Sequence, residues 1–360
     1  MLGPEGRNVD RERAWAVILA GGNGTRLQPL TRLLGEDDRP KQYCSLFGVE
    51  TLLAQTRKRV ARAIAPDRTL FAVVQAHECF YENQLADVKP SRIIIQPDNK
   101  GTTPAIAYSL VRLNALDENA IVCFFPADHY YSEDKLFVRS VDGAVQLARE
   151  NSRSVILLGA KPGSPETAYG YIEPGARLKG TPGGSAFWVN RFWEKPSLDD
   201  ARNLLERGCL WNTFVMIGTV ASFLRVLEMH APKVLSALAP LQYMNCIELE
   251  MAWSRDAYKT MEPSDFSERV LSQCPDELAV LELGDVEWSD LGEPDRAMAA
   301  MARIDGTKTV GGRNWMRGRM SAQVQGQAIA IKTKEAASLR ANPEEGVSCF
   351  AFKPKKGETL

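Results

Sequence analysis

Leu19-Ala20-Gly21-Gly22-Asn23-Gly24-Thr25-Arg26-Leu27 ends the apolar run Ala14–Leu19 and turns it into a glycine loop that carries a hydroxyl and a guanidinium. A short run of this kind reads as a buried strand. Glycines at its end let backbone N–H groups crowd round a phosphate, because no Cβ stands in the way. Arg26 adds a planar fork of donors, and Lys41, within Pro40-Lys41-Gln42, adds a compact point charge. The loop lacks the Gly-Lys-Ser/Thr of a P-loop. Leu27 stands where a dinucleotide-binding fingerprint needs a third small residue for helix–strand packing. The loop therefore reads as a nucleotide-phosphate loop of a third kind.

Working outward, apolar runs at 69–74, 92–95, 121–125 and 154–158 alternate with helical stretches at 51–64, 77–86, 104–116 and 134–149. The third of these helices is expected to start with Thr103 as N-cap and Pro104 at the first helical position, and Ile106, Leu110 and Leu113 recur at helical spacing. Continuous apolar strands alternating with helices predict an α/β fold, a Rossmann-like, mostly parallel sheet flanked by helices on both faces. Such sheets bind ligands outside the carboxyl ends of their strands. Gly21-Gly22 follows the first strand, Gln96 the third and Asp128 the fourth, so one sheet edge is expected to carry the site. Further on, 187–193 and 214–218 are strand-like and 198–207 and 220–230 helical. We expect a catalytic domain over 1–300 and a short C-terminal extension over 301–360. In the extension, 306–319 is rich in Gly, Lys and Arg, and 323–331 alternates like a strand of a partial β-domain.

Hydrophobic content of 44% with 25% charged residues is that of a soluble globular protein. A net charge of −1 argues against a nucleic-acid surface, so the cations are read locally, at phosphates. No run approaches the ~18 apolar residues of a membrane span. The segment 14–20 is too short for a signal-peptide core and leads straight into the loop. Seven cysteines, an odd number with no Cys-x-x-Cys pair, predict a reduced, cytoplasmic chain.

Two acid-bearing segments lie far apart: Pro126-Ala127-Asp128-His129 and Trp288-Ser289-Asp290-Leu291-Gly292. Each aspartate alone reads equally as a strand-end cap or a turn residue. Together, Asp128 and Asp290 suit a hard divalent cation such as Mg²⁺, which takes one or two carboxylates and completes its shell with phosphate and water. His129 is expected to pack or hydrogen-bond beside the site.

These segments, with Ser45-Leu46-Phe47-Gly48, Gln96-Pro97, Tyr169-Gly170-Tyr171-Ile172, Phe192-Trp193-Glu194-Lys195-Pro196, Trp211-Asn212 and Asp265-Phe266-Ser267, follow one another in an order that resembles the sugar-1-phosphate nucleotidylyltransferases, above all the mannose-1-phosphate guanylyltransferases, over roughly residues 14–300. The resemblance implies attack of a sugar-1-phosphate, mannose-1-phosphate first, on the α-phosphorus of GTP, releasing pyrophosphate and forming GDP-mannose. It implies that Arg26 holds the β and γ phosphates and Lys41 the α-phosphate. Ala20, Gly21, Gly22, Gly24, Thr25, Gln96, Gly101, Thr102 and Pro104 would surround the nucleotide. Gly170, Glu194, Lys195 and Asn212 would bind the sugar phosphate, and Asp128 and Asp290 the Mg²⁺. A homodimer is the assembly it implies. The chain departs from the family at two places. Gln96 and Gly101 stand where relatives carry Glu and a side-chain amide, a pattern that also suits UTP or dTTP. Thr213-Phe214 stands where they continue Ser-Gly. A catalytically silent nucleotide-sugar sensor is the alternative from another class; the presence of Arg26, Lys41 and both aspartates weighs against it.

Overall fold

Ala14–Leu19 is apolar at every position because it is buried on both sides: Ala14, Ala16 and Ile18 feed one hydrophobic core while Trp15 and Val17 feed a second. The computed structural model describes residues 14–35, 37–178, 184–244 and 246–307. The strands are β1 (Ala14–Leu19), β2 (Thr69–Val74), β3 (Ile93–Gln96), β4 (Ile121–Pro126), β5 (Tyr130–Tyr131), β6 (Val155–Ala160), β7 (Tyr171–Leu178), β8 (Ala186–Trp193), β9 (Leu210–Thr219), β10 (Leu278–Glu282) and β11 (Trp288–Ser289).

One sheet has the order β3-β2-β1-β4-β9-β6-β10-β8-β7, and β11 pairs with β5 in a separate ribbon. Pairings β1–β2, β2–β3, β1–β4 and β6–β10 are parallel, while β9 and β8 run against the direction of the rest. This is the mostly parallel α/β sheet that the alternation predicts. Helix Thr102–Leu116 lays Ile106, Leu110 and Leu113 on one core, and helix Asp134–Glu150 lays Val138, Val141 and Val145 on the other. The sheet is thus covered on both faces.

Differences from the sequence reading have local causes. β7 and β10 are strands that the periodicity did not reveal. The helix expected over 77–86 shortens to Glu78–Tyr81, and the residues after it continue as single turns, with Leu85 N–H donating to Tyr81 O (2.9 Å) and Val88 N–H to Leu85 O (2.9 Å). Thr103 is not the N-cap of the next helix. That helix begins at Thr102, with Gly101 before it at φ 88°, ψ −173°, a region open almost only to glycine. The threonine hydroxyls dock a neighbouring segment instead: Thr102 Oγ1 accepts from the Phe266 N–H (2.7 Å), and Ser264 Oγ lies 3.0 Å from Thr103 Oγ1. The Thr103 N–H donates to the Ser264 carbonyl (3.0 Å). Helix Pro294–Thr307 runs through the expected boundary at residue 300, and from 308 onward the expected extension lies outside the described residues. No helix among the described residues is long and apolar enough to cross a membrane.

Because β1, β2, β3 and β4 are parallel, Gly21, Gln96 and Asp128 emerge at one edge. A Cβ on Gly101 would lie 2.5 Å from the Ser264 carbonyl oxygen, a backbone atom that cannot swing aside. Gly101→Ala is therefore expected to destabilise the fold by about 1–3 kcal/mol; a melting curve indistinguishable from the parent would refute this packing.

Candidate active site

The glycine loop is oriented by its carbonyls. Ala20 hydrogen-bonds into the sheet through its N–H to Ala72 O (2.8 Å), fixing where the loop begins. Gln42 Nε2 then donates to both Ala20 O (2.9 Å) and Gly22 O (2.8 Å), Tyr43 OH donates to Ala20 O (3.0 Å), and Asn99 Nδ2 donates to Gly21 O (3.1 Å). With the carbonyls of residues 20–22 engaged by side chains, the loop has N–H groups rather than these oxygens to offer an anion. Gln42 is buried and uses both amide hydrogens for this task. The next turn places Gly24 at φ 61° against the Lys41 backbone, which joins the loop to the Pro-Lys-Gln segment.

Asp128 and Asp290 meet through the β5–β11 ribbon. Trp288 pairs with Tyr131 and Ser289 with Tyr130, so the residues just outside the ribbon, Asp128-His129 on one strand and Asp290 on the other, come to the same end. Lys41 Nζ lies between them: it is 3.3 Å from Asp128 Oδ2 and donates to the Asp290 carbonyl. Asp290 Oδ1 accepts from Tyr169 OH (3.0 Å) and the Gly292 N–H (2.8 Å), and Arg296 Nη2 lies 3.2 Å away. Burial works against the charge on Asp290, but cationic Lys41 and Arg296 and the Gly292 N–H outweigh it and hold the carboxyl below its ordinary range. His129 is pushed down to about 4, chiefly by burial, so it is neutral at pH 7. Its Nδ1 accepts from Trp288 Nε1 (3.2 Å), while Nε2 sits 3.7 Å from Asp128 Oδ1. The ring packs beside the site, as expected.

A cleft of about 410 Å³ runs over these groups. Of the residues singled out in the sequence, it is lined by Gly21, Gly22, Arg26, Lys41, Gln96, Gly101, Thr102, Asp128, Gly170, Glu194, Asn212 and Asp290. Ala20 and Pro104 are buried and do not line it, Gly24 and Thr25 continue the loop outside its lining, and Lys195 lies outside the lining but pairs with Glu194, which belongs to it. Arg26 is largely exposed and pairs with Glu293 (3.1 Å), an exchangeable surface contact. Gln96 is buried with both ends of its amide engaged: Nε2 donates to Val73 O (3.3 Å) and Oε1 accepts from Tyr258 OH (3.2 Å). The carbonyl acceptor that the sequence reading offers to a base is already shared with Tyr258.

At the other end, the Asn212 N–H donates to Gly170 O (2.8 Å), and a Cβ on Gly170 would come within 2.9 Å of Glu194 Oε2. Burial raises the Glu194 pKa, with Lys195, 3.0 Å away, opposing the rise. Lys195 has a left-handed backbone (φ 44°), as do Phe214 (φ 59°) and Leu291 (φ 50°); all three adjoin the cleft.

Sequence reasoning missed Gln42, Tyr169, Arg296, Tyr258 and Asn99 as supporting groups. Arg296, paired with Asp290 and Glu166 (2.9 Å) and stacked over Tyr169 (4.9 Å), lies on a helix beyond the motif, where no spacing rule pointed to it. Gln42 was legible as a motif residue, though its task was not.

Residues 15–306 match the nucleotidyl transferase family. A mannose-1-phosphate guanylyltransferase of Sinorhizobium fredii (strain NBRC 101917 / NGR234) is 32% identical over 283 residues, covering 78% of this chain and 53% of the relative. A mannose-1-phosphate guanylyltransferase of Escherichia coli is 27% identical, covering 77% and 59%. The chain spans little more than half the length of these curated relatives. A crystal structure described as mannose-1-phosphate geranyltransferase from Thermus thermophilus superposes with a TM-score of 0.67 at 29% identity, covering 78% of this chain and 76% of the other.

Gln42→Glu keeps the shape of the side chain but turns a two-hydrogen donor into an acceptor facing two carbonyls. The variant is expected to lose about 3 kcal/mol or more of stability. Gln42→Glu melting within a degree of the parent would contradict the account of how the loop is held.

Proposed function

The chain belongs to the nucleotidyl transferase family, and from that premise we propose that it transfers a nucleotidyl group, GMP first, from a nucleoside triphosphate to a sugar-1-phosphate, mannose-1-phosphate first, with release of pyrophosphate. The observation that carries this reading is the meeting of Lys41 with Asp128 and Asp290 beside a loop whose carbonyls are engaged by side chains.

In the proposed reaction a sugar-1-phosphate oxygen bonds to the α-phosphorus as the bond from that phosphorus to the pyrophosphate oxygen breaks. The nucleophile is already an anion, so no proton has to be removed. The chain's task is to offset the repulsion between anions and align them, and positioning with electrostatics supplies the rate. Loop N–H groups and Arg26 receive the β and γ phosphates, and Lys41 the α-phosphate. Glu194 accepts from sugar hydroxyls. Asn212 accepts the Phe214 N–H on its Oδ1 and keeps Nδ2, without a protein partner among the described residues, to donate to the sugar. Lys195, half exposed and paired among the described residues with the adjacent Glu194, exchanges that partner for the 1-phosphate.

The acidic donors fit Mg²⁺. Among the described residues no group of three or more His, Cys, Asp or Glu side chains forms a cage, and Asp290 Oδ2 has no hydrogen-bond partner there. Asp128 and Asp290 would hold the ion, with phosphate and water completing its shell; when bound it offsets phosphate charge. The lowered pKa of Asp290 keeps it ionised at neutral pH, as a metal ligand must be. A second reading, with UTP or dTTP as donor, rests on the amide at position 96, whose two ends are engaged by Val73 and Tyr258 and would have to be shared with the base. Free thiols at Cys44, Cys79, Cys123, Cys209, Cys246 and Cys274 support the cytoplasm as the proposed compartment.

The test is a matrix of four triphosphates against mannose-1-phosphate and glucose-1-phosphate, with Mg²⁺ and with EDTA. GTP with mannose-1-phosphate is expected to give the highest kcat/KM, and EDTA to abolish turnover. A higher kcat/KM with UTP or dTTP would move the assignment to the second reading, and no turnover with any pair would leave the sensor. Asp290→Asn should fold and lose about 10²–10³ in kcat, the scale of a removed electrostatic contact in a reaction site.

The two lysines separate by kinetics. Lys41→Ala is expected to lower kcat, because its contact strengthens as charge redistributes at the α-phosphorus. Lys195→Ala should mainly raise KM for the sugar-1-phosphate. Identical profiles for the two variants would refute the division of labour.

A further inference from the structure

Phe214 holds its left-handed backbone (φ 59°) in the middle of β9, a place where an extended residue belongs. The register explains how it arises. Between Leu157 and Gly159, β6 supplies one residue, Leu158. Between their partners Met216 and Asn212, β9 supplies three: Thr213, Phe214 and Val215. The two surplus residues bulge. Because their number is even, the alternation of faces survives: Leu210 and Met216 feed one core, and Trp211, Val215 and Ile217 the other.

Side chains of the bulge itself satisfy its backbone. Asn212 Oδ1 accepts from the Phe214 N–H (3.0 Å), Thr213 Oγ1 accepts from the Val215 N–H (3.3 Å), and Thr213 Oγ1 donates to Leu158 O (2.7 Å). A Cβ is poorly tolerated at positive φ, so these bonds hold Phe214 in a conformation that it does not favour. Such strain persists where the surroundings over-determine it, and it clusters at ligand sites; bulges there re-aim side chains. Here Phe214, half-buried and packed in part against the core that holds Leu210 and Met216, lines the cleft along with Asn212, Gly170 and Glu194.

We infer that Phe214 is a specificity-determining residue for the sugar phosphate, its ring forming an apolar wall at the end of the cleft bounded by Asn212, Gly170 and Glu194. The inference rests on the nucleotidyl-transfer reading above and extends it to the choice of sugar. A phenyl wall accepts the C–H surface of a pyranose. It rejects an isomer that turns a hydroxyl onto it, because that hydroxyl gives up water and finds no partner.

The experiment compares Phe214→Gly and Phe214→Ala with the parent enzyme, by melting temperature and by kcat/KM for mannose-1-phosphate and glucose-1-phosphate at saturating triphosphate. Both variants lack the ring, so both are expected to narrow the preference between the two sugar phosphates about tenfold, through KM for the sugar phosphate. KM for the triphosphate should stay within about twofold, since the ring stands at the sugar end. The Gly variant, freed of the strained Cβ, should melt about 2 °C or more above the Ala variant. Parental discrimination in both variants, a change confined to the triphosphate, or equal melting of the two variants would overturn the inference. An inactive parent would sink the transfer reading and this inference together, an outcome set apart from the others by the parent alone.

Discussion

Two hydrogens on one buried amide, Gln42 Nε2, hold the carbonyls of Ala20 and Gly22. The candidate site depends on that contact more than on any cation. A glycine-rich loop has no conformation of its own to keep, and its peptide groups present oxygens to a phosphate as readily as N–H groups. By engaging three successive carbonyls, Gln42, Tyr43 and Asn99 leave the loop its N–H groups as what it can offer a phosphate. The same segment that supplies Gln42 supplies Lys41. Holding the loop and charging the cleft are thus done by consecutive residues, and Gly24 packs against the Lys41 backbone.

Charge balance follows from the ribbon between β5 and β11. Lys41 is desolvated and would be costly if unpaired, yet it sits against Asp128 and the Asp290 carbonyl. Asp290 in turn is held by Arg296, Tyr169 and the Gly292 N–H, so each buried charge has an opposite one at hand. An aromatic floor keeps the ribbon in place, with Trp288 against Tyr169 (4.8 Å) and against His129 (5.4 Å), and Tyr169 against Trp211 (5.0 Å). The neutral imidazole adds no further positive charge there.

The cleft is also where local backbone preference is overridden. Lys195, Phe214 and Leu291 all take left-handed conformations that their side chains disfavour, and each is followed or preceded by a residue that faces the cleft or faces it itself. Ordinary strand and helix geometry elsewhere makes these departures tolerable. They lie at strand ends and in a bulge, the places where a sheet can bend without losing its core.

Sequence alone determined the parallel half of the sheet, because strands buried on both faces must be apolar throughout; 14–19 and 69–74 appear in the fold with the bounds that their composition gave. It also singled out Gly21, Lys41, Asp128 and Asp290 as candidates, since a glycine loop with a nearby cation and two distant aspartates make a readable pattern, while Glu194 came from the family resemblance. Tertiary structure alone decided what holds them. The partners of Gln42, of Gln96 and of Asp290 come from Ala20 and Gly22, from Val73 and Tyr258, and from Tyr169 and Arg296. It decided as well that Gly101, not Thr103, precedes the helix, because the Ser264 backbone arrives there from far along the chain. Periodicity registers which face of an element is apolar and is blind to which distant group a buried polar atom will meet; that choice is made only when the chain closes on itself.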